Sequence, residues 1–252
     1  MARNYGRFGN VAFQVGFCIA YALKNNLDFS VQNWTDNPKW NPNYFGSLHN
    51  PKWVQGVEDV LINEPSFRYQ EYEFKEEWRG KQIVLNGYFQ SYKFIDPYRS
   101  EILYLFDFPN ETKPIIALHA RYGDYLTVMD STGKMKHIVV DEPYILAAID
   151  YVKNKTGLER IKVFSDDIPL FKQRHGHLYN FEYSTNADEL GDITEMSTCH
   201  SFINSSSTFS WWGAWLSRNP EKVIVTPKHW FHPDGWMGLD TEDLIPNSWV
   251  KL

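Results

Sequence analysis

At 252 residues the chain can bury one large core or two smaller ones, and two are expected. With 31 acidic against 25 basic side chains, a net charge of -6 and no lysine- or arginine-rich block, it lacks the phosphate-tracking stripe that a nucleic-acid binder needs. Cys18 and Cys199, the only cysteines, sit in unlike contexts, which argues against a disulfide framework or a cysteine-built metal site and fits a reducing compartment.

The first segment, "MARNYGRFGNVAFQVGFCIAYALKNN", is broken by polar residues and glycines before any apolar run long enough for a signal peptide. No run of about 18 apolar residues occurs anywhere, so a soluble, cytoplasmic protein is expected, with peripheral membrane association left open. Gly6 and Gly9 predict a turn leading into a helix through "FCIAYALKNN", preceded at most by a short strand "MARN". Such a turn permits close backbone approach to a ligand, although the full G-x-G-x-x-G spacing is missing. From about residue 24 to 110 the chain is irregular and rich in Asn, Pro, Trp and Tyr, and "KQIVLNGYF" (81–89) is its one clear strand. The aromatic content of 17% suits either an aromatic core or a cleft whose rings stack on sugars.

From residue 114 short apolar runs alternate with helical patterns, as βαβ units require. "PIIALHA" reads as a buried strand, and "DEPYILAAIDYVKNKTG" as a helix with Asp141 as N-cap, Pro143 in the first turn and Gly157 as the stop. "RIKVFSDD" is the next strand, followed by a short helix "IPLFKQRHG", a strand "NFEYS" and a helix "DITEMSTCH" capped by Asp192. "SFIN", the helix "STFSWWGAWLSRN" and a last strand "KVIVTP" complete the pattern. Alternation of this kind predicts a parallel sheet with helices on both faces and a ligand site at the carboxyl ends of its strands. The expected division is 1–112 and 113–252. Four Asn-x-Ser/Thr sequons, at Asn33, Asn110, Asn154 and Asn204, read as chance matches without a secretory signal.

Three clusters fall at those carboxyl ends. Ser205, Ser206, Ser207 and Thr208 precede a helix whose unpaired N–H groups and partial positive charge suit a phosphate, while a single hydroxyl is enough to cap it. In "HARYGD" Arg121 presents a fork matched to phosphate oxygens, or else pairs with Asp124 to tie down the loop; His119 is either functional or a satisfied buried histidine. In "FSDD" Ser165, Asp166 and Asp167 either bind a ribose or guanine, hold a divalent metal, or cap the helix that follows. Further metal ligands are not identifiable. Trp212 and Trp215 read as core, and Trp211 faces either way.

Four stretches, "YGRFGNVAFQ", "HARYGDY", "FSDD" and "SSTFSWWGAWL", stand in the order of corresponding motifs in the fucosyltransferase superfamily, and most closely resemble the α-1,2-fucosyltransferases of glycosyltransferase family 11. The resemblance runs from residue 6 to about 231 but leaves 30–80 unmatched. It implies an α/β chain of GT-B type, with two Rossmann-like domains facing across a cleft, the N-terminal one reduced and on the acceptor side. It further implies inverting, metal-independent transfer of L-fucose from GDP-β-L-fucose to a glycan hydroxyl, with no cofactor. By this resemblance Arg121 grips the pyrophosphate, Asp166 or Asp167 recognises guanosine, and Ser206, Ser207, Thr208 and Phe209 line the phosphates and base. Gly9 and Asn10 would approach the reacting centre, with Asp124 as first and His119 as second choice of general base, or no side-chain base at all. Two positions depart from the family pattern: Tyr122 replaces its second arginine and Val11 its glutamine. The rivals are a transferase using another nucleotide sugar, including a metal-dependent one, and an inactive glycan-binding protein.

Overall fold

The computed structural model describes residues 6–31, 45, 48, 59–130, 132–233 and 240–252. Contacts divide the chain into two compact units, Met1–Asp107 with Leu239–Pro246, and Phe108–Gly238 with Asn247–Leu252. The segment 239–246, which the sequence pattern leaves with the C-terminal part, thus belongs to the first unit. There Asp243 accepts a hydrogen bond from the Tyr69 backbone at 3.0 Å and pairs with Lys93.

In the first unit α1 (Phe8–Asn25) starts early enough that Gly9 lies inside its first turn, and only Gly6, at φ 84°, stays in the turn before it. Burial explains the difference, because every residue from Phe8 to Ala22 except Asn10 is buried, while Arg7 offers no side-chain cap. The expected strand at residues 1–4 lies outside the described residues. Strands β1 (Asp59–Asn63) and β2 (Gln82–Asn86) form a parallel pair in register from Asp59 opposite Gln82 to Asn63 opposite Asn86. The sequence reading missed β1, since "DVLIN" buries only Ile62 and offers no sustained apolar run. Beyond β2 come the short α2 (Tyr92–Ile95) and α3 (Arg99–Phe106). The Phe17 ring stacks on Phe89 at 4.1 Å and lies 4.7 Å from Phe94, so much of the aromatic content here is core.

The second unit contains β3 (Lys113–Ala120), α4 (Glu142–Thr156), β4 (Ile161–Ser165), α5 (Ile168–His175), β5 (Glu182–Tyr183), α6 (Glu189–Ser197), β6 (Cys199–Ile203), α7 (Thr208–Leu216), β7 (Ile224–Thr226) and β8 (Val250–Lys251). The strands make one six-stranded sheet in the order β5-β4-β3-β6-β7-β8, every neighbouring pair parallel. Helices α4 and α5 share one hydrophobic cluster with the strands, and α6 and α7 pack against each other, as right-handed crossovers on the two faces of a parallel sheet require. Asp141 caps α4 by accepting from the Tyr144 N–H at 3.0 Å, and Gly157 ends it at φ 70°. The α6 cap is Asp188, which accepts from the Gly191 N–H at 2.8 Å, and not Asp192. Asp192 instead falls in the first turn and bonds Ser184, so the helix begins one turn before the expected carboxylate.

Leu118, Val163 and Ile203 pack with Ile145, Ala148 and Phe171 on the α4 side of the sheet. All three tryptophans of α7 are buried, Trp211 with its ring 5.3 Å from that of Trp249, which assigns it to the core as well. Among the described residues no helix is long and apolar enough to cross a membrane. Truncating Trp211 to alanine is expected to lower folding stability by about 3–5 kcal/mol in urea denaturation. A loss below about 1 kcal/mol would contradict its place in the core.

Candidate active site

In the second unit the chain passes from β3 through α4 and β4 to β5, then returns by α6 to β6 on the other side of β3. The direction of winding therefore reverses between β3 and β6. At such a switch point the loops after two adjacent strands part, leaving a crevice at their carboxyl ends. The loop after β3 carries Arg121, and the loop after β6 carries Ser205 to Ser207.

Arg121 is 14% exposed and held on two sides. Its Nε and Nη2 donate to Asp124 Oδ1 at 3.2 and 2.6 Å, and its Nη1 lies 3.1 Å from Asp166 Oδ2. The other Asp166 oxygen accepts the Tyr122 backbone N–H at 2.9 Å. This approach needs Gly123, because a Cβ there would sit 2.5 Å from Asp166 Oδ2, and its φ is 22°. A guanidinium has about five N–H donors, so these contacts leave two to meet an incoming anion. Asp124, 45% exposed, is the more accessible of the two carboxylates that hold Arg121.

The hydroxyl run after β6 divides its work. Ser205 Oγ shares a hydrogen bond with His119 Nδ1 at 2.7 Å, and Ser206 Oγ donates to the His229 carbonyl at 3.1 Å. Ser207 is the N-cap of α7, accepting from the Phe209 N–H at 3.3 Å. All three serines are buried, while Thr208 and Phe209 remain half-exposed at the helix terminus. Capping and loop anchoring therefore account for the three serines. What they present outward is the positive end of α7.

His119 is 4% exposed, and its ring centroid lies 5.4 Å from that of Phe209. Burial, reinforced by the Arg121 charge, pushes its pKa down to about 3. A neutral ring enclosed in this way supports the loop after β6 through its hydrogen bond with Ser205. Ser165 Oγ accepts the Asp167 N–H at 3.1 Å, and Asp167 caps α5 by accepting from the Leu170 N–H at 2.9 Å. The structure thus uses the two aspartates differently, one to cap a helix and one to fix Arg121. Tyr122 is buried in the hydrophobic core, with the Arg174 guanidinium 5.6 Å from its ring centroid.

Gly9 and Asn10 belong to the first unit, where Asn10 Oδ1 accepts from Gln90 Nε2 at 2.9 Å. In the same unit Glu64 accepts the Tyr88 N–H at 2.7 Å, and burial raises its pKa. Two tyrosines of the second unit escaped the sequence reading. Tyr125 donates to the Ser206 carbonyl at 2.8 Å and Tyr144 to the Asn204 carbonyl at 2.6 Å, so the loop after β6 is braced from the loop after β3 and from α4. Burial raises the Tyr125 hydroxyl to about 12 and that of Tyr144 well above its ordinary value, keeping both as donors. Tyr125 closes the stretch "HARYGDY" and was within reach of a motif argument, whereas Tyr144 is one apolar-helix residue among several. Among the described residues, no group of three or more His, Cys, Asp and Glu is placed to hold a metal ion.

A sequence profile of glycosyl transferase family 11 matches residues 101–251. The chain is 31% identical over 188 residues to the O-antigen biosynthesis glycosyltransferase WbnK of Escherichia coli, covering 67% of this chain and 60% of that protein. It is 29% identical over 142 residues to an alpha-1,2-colitosyltransferase of Escherichia coli, covering 54% and 47%. It therefore spans about three-fifths and about half of these two relatives. The fold is similar to that of POFUT1 crystallised with GDP-fucose, at a TM-score of 0.51 and 14% identity, over 89% of this chain and 96% of that one.

Two outcomes test this geometry. Folding lowers the His119 pKa from 6.5 to about 3, so the unfolded chain takes up the proton first. The corresponding stability is fully present above about pH 6.5 and is lost as pH falls towards 3. His119→Asn is expected to flatten the drop in melting temperature between about pH 7 and pH 4.5, and an unchanged slope would locate the titration elsewhere. Asp166→Ala is expected to lower folding stability by about 1–3 kcal/mol in urea denaturation, because it leaves the mostly buried Arg121 guanidinium and the Tyr122 amide short of an acceptor. Unaltered stability would show that Arg121 needs no such support.

Proposed function

The chain belongs to glycosyl transferase family 11, and on that premise we propose that it transfers L-fucose from GDP-β-L-fucose to a hydroxyl of a glycan, in an α-1,2-like linkage. The transfer is inverting and metal-independent, and the architecture is a GT-B pairing of two Rossmann-like domains. The observation that carries the proposal is the convergence of Arg121, fixed by Asp124 and Asp166, with the N-terminus of α7 at the switch point of a parallel sheet. A fixed guanidinium and a helix N-terminus are donors suited to the two phosphates of a nucleotide sugar. The fold shared with a GDP-fucose-binding protein and the alpha-1,2 linkage in a relative's name support the donor and the linkage.

In this mechanism the acceptor oxygen attacks C1 of the sugar from the face opposite the diphosphate. The bond from C1 to the β-phosphate oxygen breaks, and its electron pair leaves with GDP. Arg121 and the amides at the start of α7 stabilise that developing charge, which is larger in the transition state than in the bound donor. The acceptor proton passes to Asp124, the carboxylate of the cluster with the greater exposure. Ser206, Ser207, Thr208 and Phe209 shape the phosphate and base subsite, Asp166 or Asp167, with Ser165 beside them, recognises guanosine, and Gly9 and Asn10 approach the reacting centre. A related sugar in place of fucose is the second reading, favoured by the colitosyl-transferring relative and by the buried Tyr122 where the family pattern has a second arginine.

A screen of GDP- and UDP-sugars by thermal shift and hydrolysis, with and without chelator, tests the donor and the metal independence together. GDP-fucose is expected to stabilise and turn over in chelator, and activity confined to UDP-sugars or to added metal would refute the reading. Arg121→Ala is expected to lower kcat by about a hundred- to a thousandfold while the fold persists. Asp124→Asn is expected to lower kcat about a hundredfold or more with GDP affinity retained, and a loss of GDP affinity alone would reduce Asp124 to a loop tie.

A further inference from the structure

Between β3 and α4 the chain makes a long excursion over residues 121–141. It opens with a single 3-10 turn, Gly123–Leu126, and continues into a hairpin in which Met129 pairs with Met135 and the Asp130 amide donates to the Lys134 carbonyl at 2.8 Å. The returning arm is fastened to the segment after β7, where His137 pairs with Phe231 and the His232 amide donates to the Lys136 carbonyl at 3.0 Å. This fastening delivers the His137 ring flat onto Tyr125, with centroids 3.9 Å apart and planes 8° apart. The Phe231 ring lies 5.8 Å from that of His137 and completes the cluster.

The orientation of Tyr125 matters because its hydroxyl reaches two residues at the start of α7. It donates to the Ser206 carbonyl at 2.8 Å, and the side chain of Ser207, the N-cap, hydrogen-bonds the same hydroxyl. The Arg121 guanidinium lies 5.8 Å from the centroid of the Tyr125 ring, within cation–π reach. One side chain therefore meets both the guanidinium and the helix terminus. A single 3-10 turn makes few backbone hydrogen bonds of its own, so the rotamer of a ring upon it is set by what packs against that ring. Burial holds the His137 pKa below its ordinary value, Asp124 opposing and Lys136 and Arg121 reinforcing the shift. A neutral imidazole stacks on Tyr125 without placing a second cation beside Arg121.

We propose that His137 is a positioning residue, which by stacking on Tyr125 fixes its hydroxyl against Ser206 and Ser207 and so holds the N-terminus of α7 in place. Its effect passes through Tyr125, and no contact with substrate is needed. The diphosphate bound at that terminus rests on the proposed transfer; the stack and the brace do not. The hairpin after β3 thereby serves the crevice from outside it, by tying the loops after β3, β6 and β7 together.

A double-mutant cycle on the full chain tests this, read by amide hydrogen exchange over residues 206–211 without nucleotide and by calorimetry with GDP. His137→Ala is expected to speed exchange there and to weaken GDP binding, each about fivefold. His137→Phe, which keeps a flat ring, is expected to restore both to within about twofold. Tyr125→Phe is expected to act at least as strongly as His137→Ala, and adding His137→Ala to it to bring less than about a further twofold, because the hydroxyl to be positioned is already gone. Exchange unchanged in His137→Ala, no rescue by His137→Phe, or equal effects of His137→Ala in both backgrounds overturns the proposal; a lower melting temperature with exchange unchanged makes His137 a packing residue only. The two readings fail separately. Absence of GDP binding by the unsubstituted chain refutes the transferase while exchange still reads the brace, and GDP binding with exchange indifferent to His137 refutes the positioning role alone.

Discussion

The pairing of β3 with β6 is the constraint from which the rest of the candidate site follows. These strands are not consecutive, and bringing them side by side in parallel requires the chain to return across the sheet after β5. That return separates the loop after β3 from the loop after β6. A crevice opens there for topological reasons, before any side chain is considered. Ile116 and Leu118 on β3, opposite Ser201 and Ile203 on β6, set the register that places Arg121 and Ser205 at the same end.

Around that crevice most of the polar side chains are engaged with the protein itself. Ser205, Ser206 and Ser207 are consumed in anchoring and capping, His119 is a buried neutral partner, and Asp167 closes a helix. These groups order the backbone so that the α7 N-terminus and the Arg121 fork keep fixed positions. Preorganisation of this kind is what a developing diphosphate charge requires, because donors that need no rearrangement lose nothing as the bond breaks. Tyr125 and Tyr144 extend the same logic outward, each spending its hydroxyl on a carbonyl of the loop after β6.

Legibility of the sequence followed the strength of the local signal. The helix Glu142–Thr156 was readable to its caps because Asp141, Pro143 and Gly157 each act through backbone geometry at a terminus. The α6 cap was misplaced because Asp188 and Asp192 both suit a helix start, and only the packing of Ser184 against Asp192 separates them. In the first unit β1 carried too few buried residues to register, and the extent of α1 depended on burial that no periodicity displays when nearly the whole surface is apolar. Trp211 was undecidable for the same reason, until Trp249, far along the chain, closed over it.

By itself the sequence determined the alternation of strands and helices beyond residue 113, the placement of its polar clusters at strand ends, and the motifs of family 11, since all of these are encoded in local residue order. Only the tertiary structure decided which member of each cluster does what. Which aspartate holds Arg121, and which serines anchor to His119 and to the His229 carbonyl, depends on partners tens of residues away. Hydrogen bonds and ion pairs act over a few ångströms, and the fold alone brings those distances about.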